Sequence, residues 1–290
     1  MSRDSLVIHE QTAARLEWLR ADPPHATLLL GAAGIGKGSI ARLVVSDILG
    51  IKNAKLTDSA QVTIIEPDEK QTISIESIRK LQQFLRLKTT GNARIRRAII
   101  IEHAGSMTTE AQNAFLKILE EPPEDTIILM TAESTHDMLP TIRSRAQQLT
   151  LQVPSKEAVL AHYADQPEKA VMQAYFLGGG LPGLMTALLD TDAEHPLFAS
   201  VTAAKTALQQ DAFGRLAQIE QIAKQKPDAL RFCQALERIA QSGLEHAASK
   251  TDDKALKQWT RILRAAHQSR DMLASNVNTK LTLTHLMLQL

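Results

Sequence analysis

The chain has 290 residues, of which 44% are hydrophobic and 22% charged, enough for two or three domains with buried cores and unlike the composition of a disordered chain. With 33 basic against 32 acidic side chains the net charge is +1, so no global field directs it to nucleic acid or anionic lipid. A single cysteine, Cys233, excludes an intramolecular disulfide and a cysteine-rich zinc site, and its amphipathic helical surroundings read as core. The N-terminal Met1-Ser2-Arg3-Asp4-Ser5 leads into no apolar signal core and no apolar run approaches membrane-spanning length, so a cytoplasmic location is expected.

In chain order, Ala13 to Leu19 has helical spacing and His25 to Leu30 is a short apolar run entering Gly31-Ala32-Ala33-Gly34-Ile35-Gly36-Lys37-Gly38. This run matches the phosphate-loop pattern G-x-x-x-x-G-K-[ST] except at its last position. In that pattern glycine-permitted turns aim backbone N–H groups at phosphate oxygens, the lysine reaches the outer phosphates and the closing hydroxyl holds Mg²⁺. Here the hydroxyl position is Gly38. Ser39 carries a hydroxyl, but one helical step rotates a side chain by about 100°, so it is not expected to inherit the metal contact. Gly38 to Leu49 returns to helical spacing, which gives the strand, loop and helix order that the motif requires.

Strands are predicted at Val62–Pro67, Arg97–Ile101 and Thr126–Thr131, with helices at Ile75–Leu87 and Thr108–Leu119 between them. Apolar strands alternating with amphipathic helices imply a parallel sheet covered on both faces, with ligands at the carboxyl ends of the strands. The strand Arg97–Ile101 runs into Glu102-His103, where a hydrolytic site needs an acid to hold metal and commonly a second acid to polarise water. Glu102 is one methylene longer than aspartate, and His103 is mostly neutral at pH 7, its unperturbed pKa being about 6.5. His103 reads as a partly buried, hydrogen-bonded loop histidine. With Gly38, these positions argue against efficient ATP hydrolysis.

After Val153 the strand signal stops. Ser155–Ala164 and Glu168–Leu177 read as helices, the run Gly178-Gly179-Gly180-Leu181-Pro182-Gly183 breaks the chain, Leu184–Leu189 resumes it, and everything from Pro196 on is helical. The division expected is an α/β nucleotide-type domain over 1–153, a small helical lid over 154–195 and a helical C-terminal oligomerisation domain over 196–290.

The segment from Met107 to Pro123, Met-Thr-Thr-Glu-Ala-Gln-Asn-Ala-Phe-Leu-Lys-Ile-Leu-Glu-Glu-Pro-Pro, closely resembles the one that follows the second nucleotide motif in bacterial clamp-loader subunits, the AAA+ proteins that open the DNA polymerase III sliding clamp. Thr141-Ile142-Arg143-Ser144-Arg145-Ala146 resembles their Ser-Arg-Cys motif with Ala146 in place of the cysteine, and His25-Ala26 and Ile75 to Arg79 also match. The resemblance covers about residues 5 to 190 and implies an AAA+ P-loop domain, a lid and a collar-type helical domain. It implies that Arg145 serves as an arginine finger on a neighbour's nucleotide, where such groups contribute roughly 10³–10⁵ in rate. Arg143 reads as a solvated or ion-paired surface arginine. The resemblance also places Thr131 as a γ-phosphate sensor and calls for a basic lid residue near position 184, where Leu184 stands. A degenerate nucleotide site of Gly31, Gly34, Gly36, Lys37, Gly38, Ser39, Glu102 and Thr131 beside an intact Arg145 is the pattern of the delta-prime class.

That class implies a stator working with motor and clamp-opening subunits in a hetero-oligomeric ring, and reaching the sliding clamp and primer-template DNA through the complex. ATP or ADP held without efficient hydrolysis is the expected ligand. Many relatives carry four zinc-binding cysteines between the nucleotide motifs; Leu49 to Lys55 here has none, so no zinc is expected. Two other readings stand beside this one: an active motor ATPase in which Ser39 and Glu102 replace the missing ligands, and a P-loop interaction module with no finger.

Overall fold

A computed structural model describes residues 6–69, 71–86, 89, 92–136, 138–189, 196–275 and 277–290. The expectations for Met1 to Ser5, for the helix end at Leu87 and for the lid boundary at 190–195 lie outside the described residues. The chain divides into two compact units, one of residues 1–162 with 181–183 and the other of 163–180 with 184–290.

The first unit is built on five parallel strands, β1 Ala26–Leu30, β2 Val62–Ile65, β3 Arg97–Ile101, β4 Thr126–Ala132 and β5 Gln147–Thr150, in the order β2-β3-β4-β1-β5. Central strands β3 and β4 are buried along their whole length, as their uninterrupted apolar sequences require of a sheet covered on both faces. Alternation divides their side chains between two cores. Ile99 and Ile101 join Leu28 and Phe115 on the side of α3 (Ile75–Arg86) and α4 (Thr109–Glu120), while Ala98 and Ile100 join Leu29 and Val44 on the side of α1 (Glu10–Ala21) and α2 (Lys37–Leu49). β5 is the strand that periodicity does not reveal: in Gln-Gln-Leu-Thr only Leu149 is buried, and the segment is a strand because its backbone pairs with β1 at the sheet edge. A short helix, α5 (Pro140–Arg143), connects β4 to it.

The amino-terminal end of the sheet is closed by ion pairing. Asp125, immediately before β4, meets Arg97 Nη2 at 3.2 Å and Arg96 Nη2 at 3.2 Å, and accepts from the Thr126 hydroxyl at 3.1 Å and from Thr89. Arg97 Nη1 also donates to the carbonyls of Phe84 and Leu85 at the end of α3, and its guanidinium lies 5.7 Å from the Phe84 ring. Burial raises the Asp125 pKa, but donation by Thr89, Arg97 and Thr126 and the charge of Arg97 outweigh it and hold the carboxyl at about 2.

Helix α6 (Lys156–His162) ends the first unit. The second is helical among its described residues: α7 (Glu168–Gly178), the body of α8 (Pro182–Leu189), α9 (Pro196–Gln209), α10 (Ala212–Ile222), α11 (Lys226–Ser249), α12 (Asp253–Ala274) and α13 (Thr279–Gln289). The helical break falls at Gly179 and Gly180, both at positive φ, and α8 starts earlier than the spacing suggests because Pro182 is acceptable in a first helical turn. The long antiparallel α11 and α12 form the spine of this unit, with Phe232, Cys233, Leu236, Ala266 and Leu273 buried. Cys233 is the core residue its surroundings suggest, and burial pushes its thiol up to about 12. Among the described residues, no helix is long and apolar enough to cross a membrane.

Candidate functional site

The candidate site lies where β1 ends and α2 begins. Gly34 and Gly36 have φ of +84° and +94°, which side-chain-bearing residues rarely adopt, so the turn that bends the chain into α2 depends on these two glycines. Gly36 is the N-cap of α2 and supplies no side-chain cap, leaving the helix N-terminus to its backbone N–H groups and its partial positive charge. The shape of a phosphate cradle is therefore present.

Its side chains are committed elsewhere. Lys37, only 7% exposed, turns back on the loop and donates through Nζ to the carbonyls of Gly31 at 2.8 Å and Ala32 at 3.0 Å. Burial pushes its pKa below the ordinary lysine range, opposed by the charge of Glu133 just beyond β4. A Cβ placed on Gly38 would stand 2.8 Å from both Oε1 and Oε2 of Glu102. The Glu102 carboxylate thus fills the space into which a serine or threonine at 38 would extend. Arg42, one turn along α2 on the same side as Gly38, holds that carboxylate at 2.9 Å and Glu66 at 2.7 Å. The residues present fit a phosphate group at the loop backbone; they do not supply the hydroxyl and Mg²⁺ pair of an intact motif, because residue 38 has no side chain and the Glu102 carboxylate occupies the space where one would start.

Thr131 is buried in β4, and its Oγ1 accepts a hydrogen bond from the His103 backbone N–H at 3.0 Å. That bond helps hold His103 at a φ of +52° while the Ser106 hydroxyl donates to the His103 carbonyl. The His103 side chain is exposed, so the partial burial expected of it is corrected: the backbone, not the ring, is fixed by hydrogen bonds. Ser39 lies in the first turn of α2, half-buried.

Arg145 follows α5. Its Nη1 donates to the Thr141 carbonyl at 3.1 Å and its Nη2 pairs with Glu120 at 3.0 Å, with 36% of the side chain exposed. Arg143 is less solvated than expected: it is half-buried, and its Nε is buried with no hydrogen-bond partner. The structure therefore brings Gly31, Gly34, Gly36, Lys37, Gly38, Ser39 and Glu102 to one loop and helix start, connects Thr131 to that region through His103, and sets Arg145 beside Glu120.

Three residues escaped the sequence reading. Arg42 had a signal, its four-residue spacing from Gly38, whereas Glu133 had none beyond following a strand. Gly183 is the third: a Cβ there would come within 2.9 Å of the Gly34 carbonyl oxygen and 3.3 Å of the Gly36 nitrogen. Gly183, in the same unit, thus meets the loop.

A parallel sheet in this order, with a glycine loop leading from β1 into a helix and an all-helical continuation, is an α/β fold of the P-loop type. Residues 17–155 match the family model described as DNA polymerase III, delta subunit. The DNA polymerase III subunit delta' of Pseudomonas aeruginosa is 31% identical over 182 residues, 56% of this chain and 55% of that one. That of Bacillus subtilis is 31% identical over 148 residues, 47% of this chain and 44% of the relative. The gamma/tau subunit of Mycobacterium tuberculosis is 28% identical over 188 residues, 57% and 32% of the two chains. This chain spans about half the length of the curated delta-prime relatives it matches. A crystal structure of a DNA polymerase III gamma subunit-related protein from Thermotoga maritima shares the fold, with a TM-score of 0.52 and 20% identity over 96% of this chain and 98% of that one. Over its N-terminal half the chain is similar in sequence to these clamp-loader subunits.

Proposed function

We propose that this protein is a delta-prime-like stator of a DNA polymerase III clamp loader, assisting the loading of a sliding clamp onto primed DNA while an adjoining motor subunit hydrolyses ATP. The observation that carries the reading is the Glu102 carboxylate lying against Gly38 and paired with Arg42, with Lys37 turned onto its own loop. A hydrolytic site needs that volume for a metal-bearing hydroxyl and needs the acid to face the metal. The chain therefore has no efficient hydrolysis of its own, and the loop keeps at most ATP or ADP by its backbone and helix N-terminus. The partners are motor and clamp-opening subunits in a hetero-oligomeric ring, with the clamp and primer-template DNA reached through the complex.

Arg145 acts in trans. Its partial exposure and single carboxylate contact leave the guanidinium able to exchange Glu120 for a phosphoryl group presented by a neighbour. The working division is the α/β domain over 1–153, the lid over 154–195 and the oligomerisation domain over 196–290; the end of strand structure at β5 supports the first boundary.

Two assays test this. The isolated chain should show no ATP turnover above background; turnover abolished by Lys37→Ala would support the motor reading instead. In a complex reconstituted with motor and clamp-opening subunits, Arg145→Ala should lower DNA-stimulated ATPase by roughly 10³ at the site it serves, the low end for such fingers. An unchanged rate would leave the interaction module as the better account.

A further inference from the structure

The second unit carries a surface that the phosphate loop does not explain. On α12, Lys257, Arg261 and Arg264 recur at helical spacing along one exposed face, and with Gln268 they line an open groove of about 730 Å³ between α12 and α13. A helical rise of 1.5 Å per residue spreads Lys257 to Arg264 over about 10 Å along the axis. Among the described residues, no aspartate or glutamate carboxylate lies within ion-pair distance of any of the three. Arg261 Nη2 lies 3.4 Å from an oxygen of the Leu290 main-chain carboxyl group. In the same unit Arg270 pairs with Glu237 and Lys280 with Glu220, whereas Lys257, Arg261 and Arg264 stand together along one groove.

On the α13 side Leu288 and Gln289 line the groove; Leu288 is 62% exposed, and Leu281, beyond the groove and seven residues earlier on the same face of α13, is 67% exposed with His285 between them. A row of cations beside these two exposed leucines is complementary to one kind of occupant, a helix with acidic residues along one edge and apolar residues along the next. A nucleic-acid backbone would satisfy the cations but would leave both leucines without a counterpart.

We propose that the α12–α13 groove docks an acidic amphipathic helix of a partner protein, its carboxylates meeting Lys257, Arg261 and Arg264 and its apolar side chains covering Leu288 and Leu281. This surface is independent of the nucleotide-site reading, and its test does not involve ATP.

The test uses the full chain and a fluorescent synthetic helix of about 18 residues, five turns, with leucines seven apart and glutamates on the adjoining edge. Its scrambled form and a short single-stranded DNA serve as competitors. The designed helix should bind, weakening as salt rises, and Lys257→Glu/Arg264→Glu and Leu288→Ser should each weaken it about tenfold with the circular dichroism spectrum unchanged. A helix with lysines replacing the glutamates should bind the Lys257→Glu/Arg264→Glu variant more tightly than it binds the wild type. Equal affinity for the scrambled peptide, no recovery on charge reversal, or preferential binding of the DNA with no effect of Leu288→Ser would each overturn the proposal.

Discussion

The two ends of one parallel sheet carry ionic clusters that look alike in sequence and differ in what they are for. At the amino-terminal end Asp125 is enclosed by Arg96, Arg97, Thr89 and Thr126, and every contact is internal to the fold. At the carboxyl-terminal end Lys37, Arg42 and Glu102 surround a loop whose left-handed glycines still shape an anion site, yet their charges are directed at one another and at loop carbonyls. The first cluster ties the strand ends to one another and to the end of α3. The second surrounds a glycine loop whose neighbouring side chains occupy the space beside Gly38 and the loop carbonyls. Motif residues are thus informative about history, and their current partners about present chemistry.

The largest effect that would sharpen this contrast is at Asp125. Replacing it with asparagine leaves Arg97 buried without its counter-charge, and we expect a loss of about 3 kcal/mol, read as a lower denaturation midpoint in urea. The pH dependence has a fixed sign. The folded-state pKa of about 2 lies below the unfolded carboxyl value of about 3.9, so the contribution is fully present above pH ~4 and lost as pH falls toward 2. An Asp125→Asn variant whose stability tracks that of wild type through this window would contradict the assignment.

Next comes Gly38→Thr, which restores the motif on paper. The added Cβ meets both Glu102 oxygens, so the carboxylate must swing away from Arg42, and about 1 kcal/mol of destabilisation is expected. Glu102→Ala in the same chain should recover most of it, and a double-mutant cycle measures that coupling. Additive effects would mean that the carboxylate does not occupy the space at residue 38.

Gly36→Ala should cost about 1 kcal/mol, from forcing a side-chain-bearing residue to a φ of +94°, and thermal melting resolves a change of that size. Smallest is Arg42→Ala. Its two carboxylate partners are partly exposed, and a loss of roughly 0.5 kcal/mol is expected, shrinking further in high salt. A loss as large as that at Asp125 would erase the difference between the two ends of the sheet.

Much of this was legible in the chain itself. The strands β1, β3 and β4 are continuous apolar runs and appeared where expected, and Gly34, Gly36 and Lys37 marked the loop because only glycine fits such turns beside a strand and a helix. The edge strand β5 was not legible, since one buried leucine in four residues gives no period. Nor were the partners of Thr131, Arg42, Glu120 and Gly183, each of which depends on residues at least 24 positions away or on a different element.

By itself the sequence determined most of the elements, the parallel α/β plan, the phosphate loop with its missing hydroxyl, and the resemblance of the first half to delta-prime subunits, because these rest on local periodicity, turn stereochemistry and short motifs. Only the tertiary structure decided what replaced the missing hydroxyl. The Glu102 carboxylate against Gly38, Lys37 on its own carbonyls and Gly183 over the loop are set by strand register and packing, which join segments that no local pattern connects.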